Sequence, residues 1–79
     1  MSEVERWSEV VAAELGITSA VDVTAILELT KDVAHGVVRP AAPIAAYLLG
    51  LVAGADPAKE AEAEATIRRL AQEWIPQEL

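Results

Sequence analysis

The sequence predicts an all-α protein: a compact antiparallel four-helix bundle in one helical domain over residues 1–79. Three observations predict it. Apolar residues recur at three- and four-residue spacing in successive stretches, with few of the β-branched alternations that mark strands. The chain is 53% hydrophobic, yet much of that is alanine and none is phenylalanine, a composition suited to close-packed helices. Short connectors rich in helix-stop and helix-start residues separate the stretches, which favours antiparallel neighbours.

The first helix runs from about Glu3 to Leu15. Ser2 and Glu5 have the S-x-x-E spacing of a capping box. Val4, Trp7, Val11 and Leu15 form an apolar stripe with Val10 and Ala12 beside it, and Ser8, Glu9 and Glu14 fall largely outside it. Gly16 suits the left-handed position after a helix, and Ile17 can fold back on the last turn. Thr18 to Val21 is a connector. Asp22 then caps a second helix reaching about His35, with Val23, Ile26, Leu27, Thr30, Val33 and Ala34 inward and Gly36 as its stop.

Val37 to Pro43 is an ordered bend, because Pro40 and Pro43 cannot lie deep inside a helix and bias the residues before them away from helical angles. Pro43 falls near the first turn of a third helix that ends around Gly54. Ile44 to Ala53 has no polar face apart from the Tyr47 hydroxyl. A helix that is apolar all round is buried in protein or lipid. This one is too short for lipid, which needs ~20 apolar residues, so the third helix is expected to be the buried one. Gly50 in its interior implies close approach of a neighbouring helix. Asp56-Pro57 starts the fourth helix, whose stripe is Ala63, Ile67, Leu70, Ala71 and Trp74, and Pro76 ends it.

Composition excludes several function classes. Thirteen acidic residues against six basic ones give a net charge of -7, which argues against nucleic acid and anionic membrane as partners. The absence of cysteine removes disulfide and thiolate chemistry. The acidic, amphipathic start lacks the basic-then-apolar pattern of a signal peptide, which suits a cytoplasmic protein.

Few residues could carry chemistry. Glu28, Asp32 and His35 share one helix face, but no second histidine exists to complete a carboxylate-bridged metal site; a surface salt-bridge face accounts for them better. The serines and threonines sit in no nucleophile motif, and His35-Gly36-Val37-Val38-Arg39-Pro40 matches no phosphate-cradling glycine loop. No catalytic residue, cofactor or metal is therefore expected, and the chain is not read as an enzyme. In up-down-up-down order, one pole of the bundle would gather Trp7, His35, Arg39, Tyr47 and Trp74, a candidate interaction surface. The competing reading makes Trp7 and Trp74 core residues and the bend purely structural.

The segment Asp32-Val33-Ala34-His35-Gly36, continued by Arg39-Pro40-Ala41-Ala42-Pro43 and the apolar run ending Leu48-Leu49-Gly50-Leu51, resembles a family of small, uncharacterised bacterial helical domains. The helix-one pattern from Trp7 to Leu15 shares the resemblance, which covers about the first two thirds of the chain. Such domains are found alone or appended to the carboxyl end of molybdenum cofactor guanylyltransferases, which join GTP to molybdopterin. The resemblance implies a non-catalytic accessory or protein-interaction role in molybdopterin-guanine dinucleotide biosynthesis, with the guanylyltransferase as partner. It does not imply transferase activity, because the transferase's glycine-rich nucleotide signature is absent. His35, Gly36, Arg39, Pro40 and Pro43 carry over only as signature positions. The alternatives are a domain binding a small anionic ligand (a pterin or nucleotide) through His35 and Arg39, and a structural dimerisation domain in which the apolar third helix forms the seam of a homodimer.

Overall fold

The computed structural model describes residues 2–76. It contains four α-helices, α1 (Glu3–Glu14), α2 (Val23–Gly36), α3 (Ala41–Ala55) and α4 (Glu60–Glu73), with one 3-10 turn, Pro57–Lys59, leading into α4. The all-α, four-helix expectation is met.

The helix ends are set by the residues that the sequence marks. The Glu5 amide donates to Ser2 Oγ at 3.2 Å while the Ser2 amide and hydroxyl donate to Glu5 Oε1, closing the capping box. At the other end of α1, Gly16 takes φ 71°. Its amide donates to the Ala13 carbonyl and the Ile17 amide to the Ala12 carbonyl, the paired bonds of a Schellman stop. Asp22 Oδ1 accepts from the Ala25 amide at 3.0 Å and starts α2. Asp56 Oδ1 accepts from the Ala58 amide, and Pro57 opens the turn that becomes α4. Pro43 is the third residue of α3, where its missing N–H costs no helical bond. Ala42 is helical although it precedes that proline, so the first turn of α3 overrides the usual bias.

The core lies where α2, α3 and α4 pack on one another pairwise. Leu29 and Val33 of α2, Ala45 and Leu49 of α3 and Ala71 of α4 are the buried hydrophobic residues. Val37, Ala41 and Ile67 pack around Val33, Ala45 and Ala71. The inward set of α2 differs from expectation. Leu29 is fully buried, whereas Leu27 is half exposed. Apolar residues occupy more than one face of this helix, and α2 alone touches all three of the others, so the neighbours rather than the pattern select its buried stripe.

Two glycines trade the roles expected of them. Gly36 is the last residue of α2 without a positive φ, and a Cβ on it would stand 2.5 Å from the Ala71 carbonyl oxygen. Its lack of a side chain lets the end of α2 approach α4. Gly50, by contrast, would place a Cβ with nothing within 4 Å of it, so no neighbouring helix explains this glycine.

The third helix is buried on one stripe only. Ala45 and Leu49 are covered, while Ile44, Tyr47, Leu48 and Leu51 are exposed. The expectation of burial all round is corrected in this respect: three other helices supply too little surface, because α1 packs against α2 and against neither α3 nor α4. No residue of α1 is buried. Its apolar stripe faces solvent at Trp7, Val10 and Leu15, which corrects the reading of Trp7 as core.

Candidate interaction surface

The five residues singled out from the sequence are not gathered in the core: Trp7, Tyr47 and Trp74 are exposed, as are His35 at the end of α2 and Arg39 beyond it. His35 lies in the last turn of α2, and Arg39 in the connector between α2 and α3, so the bend holds these two near each other in sequence. Tyr47 stands on the open face of α3 and is 69% exposed. Trp74 is the C-cap of α4, in extended conformation, and 54% exposed. Trp74 therefore stands at the end of its stripe as a surface residue rather than a core one. Trp7 lies on α1, also 69% exposed, and that helix packs on neither of the helices that carry Tyr47 and Trp74.

The acidic face of α2 has a structural use. Arg68 Nε donates to Asp32 Oδ2 at 3.0 Å, joining α2 to α4 across the surface. Asp32 is thereby engaged, and no group of three His, Cys, Asp or Glu side chains is placed to hold a metal among the described residues. The remaining ion pairs among the described residues, Arg6–Glu3 and Arg69–Glu73, are local to α1 and α4. Neither His35 nor Arg39 belongs to any of the three.

Open clefts mark the surface of the described residues. One of about 620 Å³ separates α1 from the start of α2 and is lined by Glu5, Ser8, Glu9, Ala12, Ile17 and Asp22 among others. Three carboxylates on its wall make it a poor receptor for an anion. A second, of about 340 Å³, runs between α3 and α4 past Leu48, Val52, Ala63, Thr66 and Ile67, with Lys59 and Glu62 at its wall. The third lies between the start of α2 and α4, at Asp22, Glu60 and Glu64. None of these clefts is lined by Trp7, His35, Arg39, Tyr47 or Trp74.

The arrangement is therefore a packed α2–α3–α4 unit carrying two open apolar faces. One is the stripe of α1. The other is the outer side of α3, continuous with the α3–α4 cleft through Leu48 and Val52. Sequence periodicity locates the residues of both faces but assigns them to the core. The signal against that assignment is the size of the chain, since a single small core cannot cover four apolar stripes.

The fold is that of a small all-α domain of four helices. The chain belongs to the DUF6457 family, a domain of unknown function whose model matches residues 1–78. Searches of curated proteins and of solved structures return no match. Among the described residues, no helix is long and apolar enough to cross a membrane.

Proposed function

We propose that this chain is a non-catalytic interaction module of the cytoplasm that docks on a molybdenum cofactor guanylyltransferase, or helps assemble it with its client. The observation that carries the module reading is α1. Its ends are fixed by a capping box and a Schellman stop, yet none of its residues is buried. An amphipathic helix held in shape with its apolar stripe open is what helix-in-groove recognition uses, with anchors at three- and four-residue spacing. Trp7 is the natural anchor, since large exposed aromatics dominate binding energy when a partner desolvates them.

The nature of the partner rests on the resemblance of the His35–Pro43 segment to domains attached to guanylyltransferases. The charge of -7 supports a protein partner over a polyanion. In this reading the chain contributes surface and no chemical step.

Calorimetric titration of the chain against the guanylyltransferase catalytic domain of the same genome tests it. Micromolar or tighter binding is expected, with Trp7→Ala weakening it by about tenfold or more. Arg39→Ala reports whether the α2–α3 bend shares the contact. Absence of heat at several temperatures, together with normal molybdoenzyme activity in a deletion strain, would overturn the proposal.

A further inference from the structure

The accessible surface of the chain is 6338 Å². A closed monomer of 8.4 kDa exposes about 4,600 Å². The radius of gyration, 13.7 Å, likewise exceeds the roughly 11.6 Å of a closed chain of this length. The excess surface is about 1,700 Å², while a standard protein interface takes ~800 Å² from each partner. The excess is large enough to accommodate one standard interface.

The outer side of α3 is built to meet a copy of itself. No charged residue occurs between Arg39 and Asp56. Ile44, Leu48 and Leu51 are 61%, 52% and 54% exposed, and Ala55 continues the same helical face. Their spacing of four, three and four reads the same in both directions. Laid antiparallel across a twofold axis, the stripe meets itself in register: Ile44 faces the second copy's Ala55, and Leu48 faces the second copy's Leu51. Each contact then occurs twice, as a twofold interface requires. Charge fits at the ends. Arg39, which takes part in none of the three ion pairs among the described residues, precedes α3; Asp56 follows it. Antiparallel pairing brings the cation of each copy to the acidic end of the other. Asp56 uses Oδ1 to cap the Ala58 amide, leaving Oδ2 for the guanidinium. The two helix dipoles also oppose each other favourably.

We propose that two copies of this chain pair antiparallel through α3, with Ile44, Leu48 and Leu51 as the seam and Arg39 facing Asp56 at each end. This goes beyond the docking role of α1, whose Trp7 face stays outward, and does not depend on it.

The test is the mass of the full chain alone in solution, by sedimentation from micromolar to millimolar concentration. It is expected to rise from 8.4 kDa towards twice that value. Leu51→Glu should weaken pairing by about a hundredfold or more, since it sets an unpaired carboxylate in the seam. Ile44→Glu, at the more exposed seam position, should do the same. Both variants should keep the helical circular dichroism of the wild type, because neither residue is core. Trp7→Ala should pair as the wild type does. A wild-type mass of one chain up to millimolar concentration would overturn the proposal. So would variants at Ile44 and Leu51 that pair normally while Trp7→Ala dissociates.

Discussion

The Ala71 carbonyl oxygen of α4 lies 2.5 Å from where a Cβ on Gly36 of α2 would stand, so these two residues set how closely the two helices approach. The obstacle is backbone, with the Ala71 carbonyl carbon at 3.1 Å and its Cβ at 3.5 Å from the same point. A flexible side chain could swing away; a helix carbonyl beside a buried residue cannot. Gly36→Ala is therefore expected to destabilise the fold by about 1–3 kcal/mol, the usual penalty of overpacking. Gly50→Ala is expected to stabilise it by about 1 kcal/mol, because the added methyl meets open space and the helix loses a flexible residue. Urea unfolding of the two variants checks both signs together.

Leu29 supplies the largest fully buried side chain of the described residues. It sits on the helix that touches every other, so a cavity at Leu29 loosens the contact of α2 with its neighbours. Leu29→Ala is expected to cost about 2–5 kcal/mol. Leu27→Ala, two positions earlier on the half-exposed side, should cost under about 1 kcal/mol. Thermal unfolding distinguishes the two, and equal losses would contradict the observed burial.

Asp32 and Arg68 form an ion pair that joins separate helices. Both side chains are more than a third exposed, so solvent screens much of their attraction. A double-mutant cycle with Asp32→Asn and Arg68→Gln should give a coupling of about 0.2–1 kcal/mol. Molar salt should reduce it towards zero. A coupling of several kcal/mol that salt leaves untouched would mean a far drier contact than the structure shows.

Signals in the sequence are legible where their cause is local. Ser2 with Glu5, Gly16 with Ile17, Asp22 and Asp56-Pro57 each act within a few residues, and each takes up its expected bond. What the pattern does not encode is how much surface each stripe finds to cover it. Val4, Trp7, Val11 and Leu15 have the spacing of a core face, and spacing cannot distinguish a core from a docking face. Gly36 and Gly50 show the same limit. Gly36 reads as a helix stop and Gly50 as the mark of a close approach, and only the position of Ala71 shows that the close approach is at Gly36. The candidate surface is legible as residue types, since Trp7, Tyr47 and Trp74 are all the aromatics present.

The limited packing of α1 makes it the least protected of the four helices. A helix of 12 residues is marginal on its own, so α1 depends on its caps and on its contact with α2. Amides of α1 should exchange with deuterium well before those around Leu29 and Val33, which open only with the whole core. Ser2→Ala removes the capping hydroxyl and should destabilise α1 by about 1 kcal/mol. Gly16→Ala forces a side chain into the left-handed region and should cost a similar ~1 kcal/mol. In both variants α1 should exchange faster while protection of α2, α3 and α4 stays unchanged, because no core residue lies on α1. A binding partner that covers the Trp7 stripe should slow exchange in α1 alone, and pairing through α3 should not. Uniform loss of protection across all four helices in Ser2→Ala would mean that α1 folds as one unit with the core, against the packing seen.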